Sequence, residues 1–288
     1  MTNLPVIVGV DGSESANEAL LWAAREAAAH SAPLHIVSAC VDPIGYGSRV
    51  PLPAFDFDPL RDHARKILAH AKTAAHEHAG LDATTILTEG QPAAALIDLS
   101  KDARLVVVGS RGLGAFRRNL MGSVSTAVAR HAHCPVAVIH ERDPEKQDEV
   151  RHAVVVGVDG TRNSERAIEI AFDEASHRDL ELIAVHAWLD TSDFDFPTDW
   201  AATADTAELV LAESLAGWQE KYPEVAVQRI VVKDRSVRHL AEEADNAELL
   251  VVGSHGRGGF SGLLLGSTSQ ALLHTVTCPL IIVRGPVD

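Results

Sequence analysis

The chain is poor in several residue classes, and each scarcity excludes a class of protein. Its 288 residues include three cysteines, an odd number that does not build a disulfide framework and that is typical of a reducing compartment. No apolar run approaches the roughly eighteen residues that a membrane span needs. The N-terminus enters a strand-like pattern without a basic leader segment. We therefore expect a cytoplasmic protein that does not insert into membranes.

Basic residues are also scarce. The sequence has 25 lysines and arginines against 40 aspartates and glutamates, which gives a formal charge of −15. A chain with this excess of negative charge repels the phosphate backbone of a nucleic acid instead of attracting it. We expect no nucleic-acid partner.

The sequence does not support three familiar kinds of site. The sequence lacks the G-x-x-x-x-G-K-[ST] pattern of a Walker loop, and it lacks the G-x-S-x-G elbow of an α/β-hydrolase. The histidine pairs His76–His78 and His131–His133 stand two residues apart, so on a helix their rings point in different directions. We predict no protein-bound metal centre.

The chain does carry one glycine pattern twice. Gly109-Ser-Arg-Gly112 is followed by nine residues and Gly122-Ser123, and Gly253-Ser-His-Gly256 is followed by nine residues and Gly266-Ser267. Each copy follows an aliphatic, strand-like run and ends where a helical stretch begins. Such glycines allow positive φ angles and bring backbone N–H groups close to an anion, and the helix N-terminus adds a positive dipole end. The pattern predicts two phosphate-binding loops.

The repetition extends along the whole chain and indicates a duplicated domain. Val6-Ile-Val-Gly-Val-Asp11 corresponds to Val154-Val-Val-Gly-Val-Asp159 at an offset of 148, and the glycine loops correspond at an offset of 144. A period of this length is too long for a solenoid and suits a domain. We predict domains at residues 1–142 and 152–288, joined by a charged linker at residues 143–151.

Each half alternates aliphatic runs with helical patterns. The first half predicts strands at Val6–Val10, Leu34–Ala39, Ala83–Leu87, Leu105–Val108 and Val136–Ile139. The intervening helices are predicted at Ser15–His30 with a Ser15–Glu18 capping box, at Pro59–Ala79, at Pro92–Ala103 and at Ser123–His131. This order predicts an α/β fold in which each domain has a doubly wound, five-stranded parallel sheet with helices on both faces. Ligands of such sheets bind beyond the carboxyl ends of the strands.

These residues resemble the universal stress protein family in its tandem-domain form. The resemblance rests on the G-V-D-G-[ST] end of the first strand and on the G-x2-G-x9-G-[ST] signature after the fourth strand, both of which are intact in both halves. The second signature is similar to that of the family's ATP-binding branch. The resemblance implies a Rossmann-like domain related to the adenine nucleotide α-hydrolases. It also implies one ATP site in each half, and it allows Mg²⁺ to accompany the nucleotide.

By this resemblance the first and second strands meet the nucleoside, and the glycine loop with the start of the next helix wraps the phosphates. In the first half the implied binding residues are Gly9, Asp11, Ala39, Gly109, Ser110, Arg111, Gly112, Leu113, Gly114, Ala115, Gly122, Ser123, Val124 and Ser125. In the second half they are Gly157, Asp159, Ala187, Asp190, Gly253, Ser254, His255, Gly256, Arg257, Gly258, Gly259, Gly266, Ser267, Thr268 and Ser269.

Two further expectations concern charge. Asp190 follows the second strand of its half, a place from which a carboxylate commonly accepts hydrogen bonds from ribose hydroxyls. His255 stands where the first half has Arg111, and a mostly neutral imidazole is a weaker phosphate partner than a permanently charged guanidinium. We expect the two sites to differ in affinity and in salt dependence.

The loops favour binding over catalysis. Residues 109–123 and 253–267 contain no aspartate or glutamate, whereas phosphoryl transfer requires a positioned acceptor and usually a metal held by carboxylates. We expect a nucleotide-dependent regulatory protein of the stress response with at most slow ATP hydrolysis. An adenylating enzyme and a cyclic-nucleotide binder remain alternatives. The resemblance also implies that the two halves pair as an intrachain pseudo-dimer, and it allows a homodimer of whole chains.

Overall fold

The computed structural model describes residues 3–40, 58–112, 121–141, 152–187, 200–233, 235–256 and 265–284. The chain divides into two compact units, unit 1 (Met1–Glu141) and unit 2 (Arg142–Asp288). The linker expected at residues 143–151 lies outside the described residues.

Unit 1 alternates strands and helices along its length. The elements are β1 (Val6–Gly9), α1 (Glu14–Ala29), β2 (Leu34–Cys40), α2 (Asp58–Ala79), β3 (Thr84–Glu89), α3 (Pro92–Leu99), β4 (Leu105–Gly109), α4 (Ser123–His131) and β5 (Val136–Ile139). All its strand pairs are parallel, in the order β3-β2-β1-β4-β5. The predicted five-stranded parallel sheet is confirmed.

Unit 2 repeats this plan with one additional helix. Its elements are β6 (Ala153–Gly157), α5 (Arg162–Arg178), β7 (Glu181–Ala187), α6 (Trp200–Leu215), α7 (Trp218–Lys221), β8 (Val227–Val232), α8 (Ser236–Ala244), β9 (Ala247–Gly253), α9 (Ser267–Thr275) and β10 (Leu280–Val283). The strands are again parallel, in the equivalent order β8-β7-β6-β9-β10. The additional helix α7 follows Gly217, whose φ of 82° turns the chain sharply.

Three strands of each unit carry most of the buried core of its sheet. Every residue of β5 and β10 is buried, and the aliphatic residues of β1, β4, β6 and β9 are also buried. Burial on both faces is the expected consequence of helices on both sides of a parallel sheet. The three cysteines are buried as well, and all three are free thiols.

The predicted cap of the first helix is wrong by two residues, and the helix begins one residue earlier than predicted, at Glu14. Ser13, not Ser15, is the N-cap of α1, because Ser13 has extended backbone angles and its hydroxyl accepts a hydrogen bond from the N–H of Ala16. Ser15 lies inside the first turn with only 2% of its surface exposed. The third helix also ends early, at Leu99, and continues as a 3₁₀ turn over Ser100–Asp102.

Candidate nucleotide-binding sites

Those predicted site residues that the structure describes lie at the carboxyl edge of each sheet. Parallel pairing brings the ends of β1, β2 and β4 together in unit 1, with Gly9 paired to Val37 of β2. The ends of β6, β7 and β9 meet in the same way in unit 2, where Gly157 pairs with Val185 of β7. Ala39 and Ala187 are half-buried near the ends of their strands. The two edges occupy equivalent places in their units.

An aspartate shapes the turn that follows the first strand of each unit. Asp11 Oδ1 accepts a hydrogen bond from the N–H of Ser13 at 3.0 Å. Asp159 Oδ1 accepts two, from the N–H of Thr161 at 2.9 Å and from its hydroxyl at 2.7 Å. Each carboxylate therefore fixes its own turn through one oxygen.

The other oxygen of each aspartate faces the glycine loop. A Cβ atom added to Gly112 would lie 2.5 Å from Asp11 Oδ2, and one added to Gly256 would lie 2.5 Å from Asp159 Oδ2. Only a residue without a side chain allows the loop to approach the carboxylate so closely. The lack of room for a Cβ atom beside the carboxylate therefore explains why the second residue of each signature is glycine.

A single carbonyl group connects each loop to the helix that follows it. The carbonyl of Ser110 accepts hydrogen bonds from the N–H of Gly122 at 2.8 Å and from the hydroxyl of Ser125 at 3.2 Å. In unit 2 the carbonyl of Ser254 accepts the corresponding bonds, at 2.7 Å and 2.9 Å. Because their hydroxyl hydrogens point to the backbone, Ser125 and Ser269 serve to hold the loop against the helix.

The expected positive φ angles do not occur at the six described glycines of the two signatures. Gly122 and Gly266 have φ values of −66° and −68°, which any residue can adopt. The positive angles of this edge lie instead at Gly12 and Gly160, in the turns after β1 and β6. Close packing requires some of the signature glycines instead: a Cβ on Gly109, for example, would lie 2.7 Å from the carbonyl oxygen of Ser15.

Helices α4 and α9 present their N-termini to the loops. Their N-cap residues are glycines, and neither makes a side-chain capping bond. The N–H groups of a first helical turn have no partner within the helix and carry a partial positive charge. This end of each helix can therefore bind an anion.

A cavity of about 390 Å³ lies at this edge of unit 2. One part of its wall is apolar and includes Val158, Val185, Leu240 and Val252, and another part is the glycine loop with the first turn of α9. The remaining lining residues are Gly157, Asp159, Ser164, His186, Ala187, Ser236, Gly253, His255, Gly256, Gly266, Ser267, Thr268 and Ser269. The cavity thus joins an apolar compartment to an anion-binding loop.

The two loops differ in how their third residue is held. In unit 1 the guanidinium of Arg111 donates to Glu141 Oε2 at 2.6 Å, and both side chains are partly buried, with 24% and 34% exposed. In unit 2 the ring nitrogen Nδ1 of His255 lies 3.1 Å from the hydroxyl of Ser254. Arg111 therefore already has an anionic partner, which the sequence did not indicate.

The first helix of each unit also contacts the loop in a different way. Ser15 Oγ accepts a hydrogen bond from the N–H of Arg111 at 3.3 Å. The equivalent residue, Asn163, donates to the carbonyl of His255 at 3.2 Å. The first helix thus binds a donor of the loop in unit 1 and an acceptor of the loop in unit 2.

Several predicted residues lie outside the described part of the chain. They are Leu113, Gly114, Ala115, Asp190, Arg257, Gly258 and Gly259. Conversely, the structure adds residues that the sequence did not single out for the sites: Ser15, Glu141, Asn163, His186 and Ser236. His186 is buried and holds the end of β6, because its Nδ1 lies 2.7 Å from the carbonyl of Val158 and must donate to it.

The described residues include no helix that is long and apolar enough to cross a membrane.

Comparison with known proteins gives consistent matches to one family. The model of the universal stress protein family matches residues 3–140 and residues 151–284. A universal stress protein of Mycobacterium tuberculosis is 45% identical over 289 residues, which cover 98% of this chain and 97% of the relative. One of Mycolicibacterium smegmatis is 41% identical over 98% of both chains.

A solved structure has the same fold. The crystal structure of a universal stress protein from Archaeoglobus fulgidus superposes with a TM-score of 0.70 at 20% identity, covering 98% of this chain and 96% of that one. The two family matches, the relatives over nearly the full length and the shared fold agree with the two signatures in the sequence. The chain belongs to the universal stress protein family and carries the family's domain twice.

Proposed function

We propose that the chain binds ATP at two sites, one in each unit, and that it acts as a nucleotide-dependent regulatory protein of the stress response. The observation that supports this proposal most strongly is the cavity of unit 2, in which an apolar compartment adjoins a glycine loop and a helix N-terminus. Its volume of about 390 Å³ lies within the usual range for small-ligand sites.

The two parts of this cavity suit the two parts of a nucleotide. The side chains of Val185, Leu240 and Val252 offer an apolar surface for a purine base. The loop from Gly253 to Gly256 and the N–H groups of the first turn of α9 suit a chain of phosphates. Unit 1 has the same loop and helix, with the same bonds between them, so the proposal extends to it.

We propose binding without efficient catalysis. Asp11 and Asp159 each direct one carboxylate oxygen toward a glycine loop, and they are the residues that would hold a Mg²⁺ ion accompanying the phosphates. Each uses one oxygen to fix its own turn, so its geometry favours a positioning role over the activation of water. Slow hydrolysis of ATP is the most that we expect.

Native mass spectrometry of the purified protein, followed by nucleotide extraction and calorimetric titration with ATP, ADP and cyclic AMP, tests the proposal. We expect one ATP for each unit and weaker binding of cyclic AMP, because a cyclic phosphate cannot extend along the loop. A phosphate-release assay run in parallel should give turnover far below the median enzyme value of about 10 s⁻¹. Failure of every adenine nucleotide to bind would overturn the proposal.

We further propose that two chains associate as a homodimer, as the family resemblance allows. Light scattering on the nucleotide-free and nucleotide-saturated protein provides the test. A mass near twice the 30.7 kDa of one chain is expected, and the monomer mass in both states would contradict it.

A further inference from the structure

Two hydroxyl groups meet on the wall of the unit 2 cavity. Ser236 is the first residue of α8, Thr268 is the second residue of α9, and their hydroxyl oxygens lie 3.1 Å apart. Both residues line the cavity. At the offset of 144, unit 1 has Pro92 and Val124 at these positions. The same wall is therefore polar in one unit and apolar in the other.

At Thr268 this exchange changes the chemistry of the wall with little change in shape. Threonine and valine are nearly isosteric, but the hydroxyl of Thr268 can donate and accept hydrogen bonds. Ser236 also has a backbone N–H, which Pro92 lacks. In a hydrogen-bonded pair one hydroxyl donates to the other, so the pair keeps one hydrogen and further lone pairs for a third polar group.

The position of the pair identifies the part of the ligand that it would contact. Thr268 directly follows Gly266 and Ser267, which belong to the phosphate loop. Leu240, one turn beyond Ser236 along α8, belongs to the apolar compartment. A group bound to the pair thus lies between the base and the phosphates, where a nucleotide carries its sugar.

We infer that Ser236 and Thr268 form a ribose subsite that makes unit 2 selective for ribonucleotides over deoxyribonucleotides. This inference rests on the proposed binding of adenine nucleotides. Unit 1 lacks the pair and is expected to accept ribose and deoxyribose forms with similar affinity at this wall.

The test measures each site separately. Gly122→Trp fills the loop of unit 1 and leaves site 2 for study, and Gly266→Trp does the reverse. Each protein is titrated with ATP, 2′-deoxy-ATP and 3′-deoxy-ATP. At site 2 we expect at least one deoxy analogue to bind about threefold to tenfold more weakly than ATP, the effect of one neutral hydrogen bond. At site 1 we expect nearly equal affinities.

Substitutions assign the effect to the pair. In the Gly122→Trp background, Thr268→Val introduces the unit 1 residue and should bring ATP down to the affinity of the deoxy analogue. Thr275→Val, at the exposed end of the same helix, is the matched control and should preserve the discrimination. The reciprocal Pro92→Ser and Val124→Thr double variant, made in the Gly266→Trp background, should create discrimination at site 1.

The outcomes separate this inference from the proposed function. Binding of all three nucleotides with equal affinity at site 2 would overturn the ribose subsite and leave ATP binding intact. Discrimination that survives Thr268→Val together with Ser236→Ala would also overturn it. If site 2 binds none of the three nucleotides, both the subsite and the proposed function of unit 2 fail.

Discussion

The described parts of the two glycine loops share their backbone hydrogen bonds to the next helix but differ in the side-chain contacts of Arg111 and His255. In unit 1 the charge of Arg111 is balanced by Glu141 of the same unit, and in unit 2 the uncharged hydroxyl of Ser254 contacts His255. The backbone bonds from Ser110 and Ser254 to the following helices are nearly equal in length. The duplication has therefore kept the loop and changed the side chains that decide how it responds to charge.

The units also differ strongly in net charge. Unit 1 has 12 basic and 14 acidic residues, a net charge of −2, whereas unit 2 has 13 basic and 26 acidic residues, a net charge of −13. Nearly all of the chain's −15 thus belongs to unit 2. We therefore expect an anionic ligand to meet a stronger long-range repulsion from the charge of unit 2 than from the charge of unit 1.

The largest expected effect comes from filling one loop at a time. Gly122→Trp should abolish binding at site 1 and halve the number of ATP molecules bound per chain, and Gly266→Trp should do the same at site 2. Both glycines have backbone angles open to any residue, and an added Cβ would lie 3.2 Å (Gly122) or 3.3 Å (Gly266) from its nearest neighbour, so the indole should block the ligand with only small local shifts. Calorimetry measures the stoichiometry. If either variant binds as much ATP as the parent, the corresponding loop is not the site.

A smaller effect is expected on stability from the aspartates of the turns. Asp159→Ala removes two hydrogen bonds to the carboxylate and Asp11→Ala removes one, so the first should cost about 2–3 kcal/mol and the second about 1–2 kcal/mol. Chemical denaturation with hydrogen exchange, which resolves the two units, measures the loss in each. Equal losses would show that the additional bond from the Thr161 hydroxyl contributes nothing.

The sequence was sufficient for the features that depend on local periodicity. The parallel sheets, the alternation with helices and the position of the glycine loops follow from aliphatic runs and signature spacing. The capping error at α1 is instructive, because Ser15 and Glu18 match the capping-box pattern but the turn at Gly12 places Ser13 at the cap. A pattern of residue types does not specify which serine has the extended backbone.

The contact between Arg111 and Glu141 could be predicted only with knowledge of the strand register. Gly109 pairs with Ile139 in the sheet, and the same separation of 30 residues relates Arg111 to Glu141 just beyond the strand ends. In the sequence, Glu141 stands next to the charged segment expected to be a linker, so its type gave no sign of a role in the site. The hydroxyl pair of Ser236 and Thr268 could not be predicted from the sequence for a similar reason, since the two residues belong to different helices and stand 32 positions apart.

The contact with Glu141 can be tested by removing its charge. The carboxylate competes with a phosphate group for the guanidinium of Arg111, so Glu141→Gln should raise the affinity of site 1 for ATP by about threefold to tenfold, as expected for a charge-assisted bond that is partly exposed. Site 2 should not change. Titration of the Gly266→Trp background, which isolates site 1, provides the measurement.

Asp98→Asn is the control for this substitution, because it removes an exposed carboxylate of α3 that pairs with Lys101 of the following 3₁₀ turn. It should leave both affinities unchanged. A weaker site 1 in Glu141→Gln would mean that Glu141 orients Arg111 toward the nucleotide, and the competition would then be wrong.

The smallest expected effect separates the local charges of the sites from the net charges of the units. Salt screens long-range repulsion over a Debye length of about 10 Å at 0.1 M, so raising the NaCl concentration in the presence of EDTA should strengthen ATP binding at site 2 by about threefold. At site 1 the net charge of the unit is close to zero and Arg111 attracts the phosphates, so the same change should weaken binding slightly.

Adenosine, which has no charge, should bind both sites independently of salt. Parallel salt responses of ATP at the two sites would mean that the charge of −13 on unit 2 lies too far from its loop to act on the ligand, and that the side chains at the loop alone govern binding.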